Sequence, residues 1–106
     1  MINFDTYRTL YGEAKTYDDI EMYIMERGWQ DWMDDMDADQ IADLLRRIYT
    51  ISRDGIGGML ETEGIKLTVL CRRYCIPYDS AQKWRSGERH APDYLMLLLG
   101  WAIISG

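Results

Sequence analysis

The stretch from residue 70 to residue 89 constrains the fold of this chain more than any other part of its sequence. A short helical pattern is followed by Cys75-Ile76-Pro77, and a second helical pattern then ends at Gly87. Two short helices joined by a tight turn have the layout of a helix-turn-helix motif, which lays its second helix in a groove of DNA. The net charge argues against a simple DNA-binding protein, because the 106 residues carry a formal charge of −6 and DNA is itself negative.

The charge is divided unevenly along the chain. Residues 1–64 contain fifteen Asp and Glu against six Lys and Arg, whereas residues 65–106 contain six Lys and Arg against three Asp and Glu. The two parts therefore carry net charges of −9 and +3. Such asymmetry indicates two surfaces with different partners. We predict an acidic helical N-terminal subdomain, residues 1–53, and a helix-turn-helix domain, residues 54–106.

Helical periodicity occurs along the rest of the chain, and no segment shows the alternation that is typical of a β-strand. The third helix is expected to begin after an N-cap at Asp37 or Asp39, and the glycine-rich residues 54–58 are expected to break it. These patterns predict an all-α fold. Besides the two helices of the motif, the predicted helices span residues 4–14, 18–26, 40–53 and 92–104.

Within the motif, the residues expected to be buried and those expected to face solvent fall on different faces of the helices. Ala81 and Trp84 are predicted to point inward, and Ala81 is small enough to let the two helices approach closely. Gln can pair with adenine, and Lys can reach guanine or a phosphate. The outward residues predicted to read bases are Tyr78, Asp79, Gln82 and Lys83. The flanking arginines predicted to neutralise phosphates are Arg72, Arg73, Arg85 and Arg89.

The joint spacing of several residues resembles small lambda-repressor-like (Xre-class) helix-turn-helix proteins of bacterial mobile elements and phages. The residues that carry this resemblance are Ile76-Pro77, Gln82, Trp84, Gly87, Arg89, Pro92 and Tyr94-Leu95. The resemblance covers residues 60–104 and implies four or five helices, with residues 78–86 as the recognition helix. It also implies a DNA-binding regulator, for which a homodimer is expected because one motif buries little DNA surface.

The sequence departs from that family pattern at four places. Cys75 stands where the turn usually has glycine, so Cys75 must adopt a left-handed conformation or the turn must change shape. Asp79 stands where the pattern often has a basic residue, and a carboxylate there repels phosphates. Lys66-Leu67 replaces the Ser/Thr-Gln that often opens the first helix, and Gly57-Gly58 interrupts the helix before it.

Residues 29–39, which we call the acidic connector, are rich in aspartate, tryptophan and methionine. Large anchors surrounded by negative charge could dock on a basic, nucleic-acid-binding surface of another protein. Alternatively, the large side chains pack the N-terminal helices while the carboxylates stay in water. The residues predicted for a protein-binding surface are Trp29, Asp31, Trp32, Asp34, Asp35 and Asp37.

Metal binding is not expected in the acidic connector. Asp35-x-Asp37-x-Asp39 matches the opening of a calcium-binding loop. However, Gln40 occupies the position of the obligatory glycine, and Arg46 that of the bidentate glutamate. We predict no metal and no cofactor.

Catalysis is not indicated either, because His90 is the single histidine and no nucleophile–base arrangement or phosphate loop is visible. Cys71 and Cys75 are predicted to face the same side of one helix, with poor geometry for a disulfide. The N-terminus lacks a signal-peptide pattern, and no apolar run is long enough to span a bilayer. We therefore expect a cytoplasmic protein that is not an enzyme and has no membrane partner.

The leading prediction is a helix-turn-helix transcriptional regulator of phage or mobile-element origin that binds double-stranded DNA as a homodimer. Its predicted dimer surface consists of Trp101 and Ile104, two apolar residues of the last helix that do not belong to its predicted packed side. That packed side is predicted to be Tyr94, Leu95, Leu98, Leu99 and Ile103. The alternative is a small acidic inhibitor, similar to anti-CRISPR and other anti-defence factors. It would bind a nucleic-acid-binding protein and use the helix-turn-helix as a scaffold.

Overall fold

A computed structural model describes residues 2–28 and 30–106 of the chain. Regular structure in these residues consists of six α-helices and one short 3-10 turn at Asp31–Met33, without β-strands, so the all-α prediction is confirmed. None of the described helices combines the length and the hydrophobicity that are needed to cross a lipid bilayer. The helices are α1 (Phe4–Ala14), α2 (Ile20–Arg27), α3 (Ala38–Glu63), α4 (Leu67–Tyr74), α5 (Tyr78–Ser86) and α6 (Asp93–Ser105).

Asp37 is the N-cap of α3, one of the two residues predicted for that position. Its carboxylate accepts from the backbone N–H of Gln40 (2.8 Å), and the Gln40 side chain accepts from the backbone N–H of Asp37 (3.0 Å). This reciprocal capping box satisfies two N–H groups that the helix itself leaves without acceptors. It fixes the start of the longest helix at the end of the acidic connector.

Gly55 divides α3 into two segments, because its backbone angles (φ 64°, ψ −141°) are not helical. Arg47, before this kink, donates to the two carboxylate oxygens of Glu63 at 2.9 and 2.5 Å. The two residues are 16 apart in sequence, and a straight helix would separate them by about 24 Å. The second segment therefore folds back beside the first.

The break expected at residues 54–58 is thus a kink at Gly55, whereas Gly57 and Gly58 are helical. The prediction that Gly57-Gly58 interrupts the helix was wrong. Gly58 instead lies where the two segments touch, since a β-carbon there would be 2.9 Å from the carbonyl oxygen of Thr50. The predicted subdomain boundary after residue 53 lies inside α3, next to the kink.

The core is continuous from the N-terminal to the C-terminal helices. Helix α3 is central and packs against α1, α2, α5 and α6, while α4 packs against α5. Met33 of the acidic connector is fully buried in this core. The other large side chains that are fully buried are Tyr7, Leu10, Tyr23, Leu45, Ile48, Ile51, Ile56, Met59 and Leu70.

Helix α6 packs through only part of its predicted face: of the five residues, Leu95, Leu99 and Ile103 do pack against the core. Tyr94 and Leu98 were predicted to be packed but are 67% and 50% exposed. The buried residues are Met96, Leu99 and Gly100. Gly100 faces Tyr7 so closely that a β-carbon would lie 3.0 Å from the Tyr7 Cζ atom.

Trp101 was predicted to be left over for a dimer surface, but it is used within the fold. Its indole N–H donates to the carbonyl oxygen of Ile2 (3.0 Å). Its ring meets the ring of Phe4 edge-on, with 5.7 Å between the centroids. Ile104, the other residue of that predicted surface, is half-buried and packs against the core.

Candidate nucleic-acid interface

Helices α4 and α5 are joined by a turn of three residues, Cys75 to Pro77. Cys75 ends α4 with left-handed backbone angles (φ 56°, ψ 41°). In the described part of the chain, no other residue except glycine has a positive φ. Of the two possibilities that the sequence left open for this position, the structure has the left-handed one. Helix α4 starts after Lys66 without a side-chain cap.

The two cysteines do not share a face, so that prediction was wrong. Cys71 is buried within α4, whereas Cys75 is exposed, and both thiols are free. The reason is that α4 ends at Tyr74, and the left-handed residue turns the chain away from the helix axis.

Helix α5 packs through Ala81, which is fully buried as predicted, and Trp84 is half-buried against the core. Tyr78, at the start of α5, is exposed. The other predicted base-reading residues lie together, because they line a shallow depression of about 410 Å³ with Ser86 and Glu88. These residues are Asp79, Gln82 and Lys83.

The four predicted phosphate-binding arginines are all exposed. Arg72 and Arg73 lie in the last turn of α4. Arg85 is in the last turn of α5, and Arg89 follows Gly87, which ends that helix. Arg85 and Arg89 line a second cavity, separate from the depression on the outer face of α5.

Basic residues in the two parts of the chain differ in how their charges are neutralised. Among the residues that the structure describes, ion pairs involve Arg8, Lys15, Arg27, Arg46 and Arg47. Within the same residues, no ion pair is formed by any basic residue from Arg53 onward. Basic side chains without an ion pair are therefore concentrated from the kink of α3 to the loop after α5, where they outnumber the carboxylates that also form none in the described residues, Asp54, Glu61, Asp79 and Glu88.

The acidic connector combines packed apolar side chains with exposed carboxylates. Met33 is buried, and the half-buried Trp32 donates its indole N–H to the Gln30 side chain (2.7 Å). Trp29, also predicted for a protein-binding surface, lies outside the described residues. The predicted aspartates Asp31, Asp34, Asp35 and Asp37 are exposed and, within residues 2–28 and 30–106, form no ion pair.

A groove of about 560 Å³ separates the acidic connector from α3 and the end of α6. Trp32 and Met36 line it from the connector, Leu44 from α3 and Ile104 from α6, and Asp35 lies at its margin. The groove thus has two features: apolar side chains, and a polar lining in which the carboxylates of Asp35 and Asp43 outnumber the single basic residue, Arg47. Both features suit a partner segment that carries apolar and basic side chains.

Sequence analysis missed two exposed methionines on α2, Met22 and Met25, which are 48% and 77% exposed. Their positions carry a signal, because both fall outside the packed stripe of Ile20, Tyr23 and Ile24. An apolar residue outside the packed stripe of an amphipathic helix is expected to face solvent. Sequence analysis also missed Lys15 and Arg53, which line the same cavity as Arg85 and Arg89.

In residues 2–28 and 30–106, no group of three or more His, Cys, Asp or Glu side chains is arranged to hold a metal ion. Asp37, one of the aspartates of the calcium-loop pattern, is used as the cap of α3.

These features define a small all-α protein with an exposed polar helix next to uncompensated basic side chains. Comparisons with protein-family models, curated proteins and solved structures find no match for the chain. The resemblance to lambda-repressor-like proteins therefore stays a prediction from the sequence.

Proposed function

We propose that this protein binds double-stranded DNA through α5 and acts as a cytoplasmic transcriptional regulator of phage or mobile-element origin. The observation that carries the proposal is the outer face of α5, where Asp79, Gln82 and Lys83 line one exposed depression. Gln82 and Lys83 supply the donors and acceptors that recognise adenine and guanine, and Asp79 can accept from cytosine.

The charge distribution supports the same assignment. The basic residues on α4, on α5 and after α5 have no carboxylate partner in the described structure, so their charge is available for phosphates. The net charge of −9 on residues 1–64 repels DNA. DNA would therefore approach from the side of α4 and α5.

The test is binding of the purified protein to a pool of duplex DNA fragments, including its own upstream region, at two salt concentrations. Gln82→Ala and Lys83→Ala should each weaken specific binding by about 1–3 kcal/mol if these residues read bases. Arg8→Ala is the matched control, because Arg8 is an exposed basic residue on α1 and its loss should leave base selectivity unchanged. Absence of binding at low salt, or unchanged selectivity in both variants, would contradict the proposal.

The second candidate function is inhibition of a nucleic-acid-binding protein, similar to an anti-CRISPR factor. It is favoured by the groove beside Trp32 and Met36, together with the exposed aspartates of the acidic connector. Here α4 and α5 would serve as a scaffold, and the connector would imitate the charge of a nucleic acid.

The inhibitor hypothesis is tested by reversing the charge of Asp31, Asp34 and Asp35 to Lys. Asp37 is left intact because it caps α3. The triple variant should lose inhibition of purified RNA-guided nucleases, whereas reversal of the exposed residues Asp18 and Glu61 should not. If no purified nuclease is inhibited by the wild-type protein, or the triple variant inhibits equally well, this candidate fails.

A further inference from the structure

A cavity of about 310 Å³ lies where the ends of four helical segments meet. It is bordered by Lys15 at the end of α1, by residues 52–56 around the kink of α3, by the C-terminal end of α5 and by Asp93 at the start of α6. Residues from both parts of the chain therefore build one site. Ile56, Trp84 and Met96 supply its apolar lining.

Positive charge dominates this cavity. Four basic side chains line it: Lys15, Arg53, Arg85 and Arg89. Only two carboxylates do so, Asp54 and Asp93, and Asp93 lies 3.8 Å from the Lys15 ammonium group. The site is thus cationic within a chain whose net charge is −6.

Arg53 is held in place at one end of its guanidinium group. Its Nη2 atom donates to the carbonyl oxygens of Ala14 (3.5 Å) and Lys15 (3.3 Å), and its Cζ atom lies 5.2 Å from the centroid of the Tyr49 ring. In the described structure, its Nε and Nη1 atoms have no hydrogen-bond partner. A fixed guanidinium with free N–H groups is suited to bind a tetrahedral oxyanion.

Backbone carbonyl groups at the helix ends around the cavity also accept hydrogen bonds. Arg53 covers the last carbonyls of α1. At the end of α5, the carbonyl oxygen of Lys83 accepts from the Arg89 N–H (3.2 Å) and the Ser86 hydroxyl (3.1 Å). The negative ends of these two helices therefore oppose an incoming anion less than free carbonyls would.

We propose that this cavity, which we call the kink cleft, binds a phosphate group. Arginine and lysine side chains from α1, α3 and the end of α5 surround the space, and Gly55 and Gly87 border it without side chains. The phosphate belongs either to the backbone of DNA or to a free small molecule, and both present the same oxyanion to the cleft. The inference holds whether or not α5 reads bases.

The test is chemical-shift mapping by NMR with three probes used separately: inorganic phosphate, pyrophosphate and a short DNA duplex. Arg85→Gln should weaken binding at the cleft about 2–5-fold, as expected for an exposed charge. Arg53→Gln should do the same, but Arg85 is the safer variant because it makes no side-chain hydrogen bond in the described structure. Asp93→Asn should tighten binding by a similar factor, because it removes the carboxylate that competes for Lys15.

Arg8→Gln is the matched control, since Arg8 is an exposed arginine on α1 that lines neither the cleft nor the outer face of α5. Phosphate or pyrophosphate shifts confined to the cleft, weakened by Arg85→Gln but not by Arg8→Gln, identify a free phosphate ligand. Cleft shifts with the duplex alone identify the DNA backbone.

Absence of cleft shifts with all three probes, or equal weakening by Arg8→Gln, overturns the inference. The two proposals fail independently. Duplex binding that shifts the outer face of α5 and leaves the cleft unchanged overturns the cleft alone. Phosphate binding at the cleft without any duplex binding overturns the proposed function alone.

Discussion

The hydroxyl group of Tyr7 is buried on α1 against Gly100. Within the described residues it has no hydrogen-bond partner. Burial raises the pKa of Tyr7 far above its usual value, and the nearby Tyr11 and Glu63 act in the same direction. A buried hydroxyl without a partner costs about 1–3 kcal/mol of folding free energy. The ring of Tyr7 therefore stabilises the fold by packing, whereas its hydroxyl group destabilises the fold.

Tyr7→Phe is expected to raise the free energy of unfolding by about 1 kcal/mol, because the unpartnered hydroxyl is lost and the ring remains. Tyr23→Phe is the matched control, because the Tyr23 hydroxyl donates to the carbonyl oxygen of Leu10 at 2.9 Å. That variant should lower the free energy of unfolding by about 1 kcal/mol. Urea denaturation measures both, and a loss in Tyr7→Phe equal to that in Tyr23→Phe would contradict the assignment.

At Cys75 the sequence left two possibilities open, a left-handed conformation or a turn of different shape, and did not decide between them. A left-handed residue other than glycine costs roughly 1–2 kcal/mol, which is comparable to the energies of packing around a turn. Ile76, which follows it, is half-buried against the core, and its N–H donates to the carbonyl oxygen of Cys71 (3.0 Å). Such tertiary terms, absent from the local sequence pattern, allow the left-handed conformation to persist.

At the scale of the secondary-structure elements, α3 is the least predictable part of the molecule. Its N-cap and the approximate position of its kink follow from local chemistry, namely an aspartate followed by glutamine and a cluster of glycines. The fold-back does not follow from local chemistry. It depends on the contact between Arg47 and Glu63 and on the close approach of Gly58 to Thr50. Neither pair is visible as a short-range pattern.

Gly55→Ala is expected to lower the free energy of unfolding by about 1–3 kcal/mol, because the backbone angles of Gly55 disfavour a β-carbon. Gly57→Ala is the control, since Gly57 is helical and its new β-carbon would lie 3.5 Å from the nearest atom, the carbonyl oxygen of Arg85. That variant should be neutral or slightly more stable. Thermal denaturation compares the two, and equal effects would show that Gly55 does not determine the kink.

The ion pair of Arg47 and Glu63 is expected to make stability depend on acidic pH. Burial is the largest single influence and by itself would raise the pKa of Glu63. The hydrogen bonds and positive charge of Arg47, with a hydrogen bond from Thr62, together outweigh burial and hold the pKa below its usual value of 4.5. A lowered pKa in the folded state stabilises the protein above the pKa of the unfolded state. This stabilisation is lost as the pH falls through the folded-state pKa of Glu63.

Glu63→Gln should therefore lower the free energy of unfolding by about 1–3 kcal/mol at neutral pH and by less in acid. Asp43→Asn is the control, because Asp43 is largely exposed and lies 3.9 Å from Arg47. Urea midpoints measured across the acidic range test this expectation. An equal loss at every pH would exclude the ion pair as the source.

At the scale of the whole molecule, α6 connects the two predicted subdomains. It packs against both α1 and α3, and Trp101 is hydrogen-bonded to Ile2, 99 residues away in sequence. A core shared in this way is expected to unfold in one transition.

Gly100→Ala should lower the melting temperature, because the new methyl group collides with the Tyr7 hydroxyl group. The shift should be the same by tryptophan fluorescence and by far-UV circular dichroism. Leu98→Ala is the control, since half of the Leu98 side chain is exposed and its truncation should cost less. Two transitions, or different shifts by the two probes, would indicate that residues 1–53 and 54–106 unfold separately.

The sequence predicts the fold class and most helix positions here because periodicity and capping are local. It is only partly right about the packed side of α6, where Tyr94 and Leu98 are exposed, since residues 95–99 are all apolar and no single stripe stands out. The close contact of Gly100 with Tyr7 cannot be read from that pattern, because it joins two helices far apart in the sequence. At the site, the exposed face of α5 follows from spacing within one helix. The kink cleft does not, because Lys15 and Arg53 are brought to Arg85 and Arg89 by tertiary folding.

The exposed thiol of Cys75 has a practical consequence. Cys71 is buried, so a maleimide dye should attach to the folded chain at one position, immediately before α5. A fluorophore at that point would sense whether α5 enters a crowded groove or stays in open solvent. One labelled sample could then be used to compare DNA duplexes, phosphates and candidate protein partners.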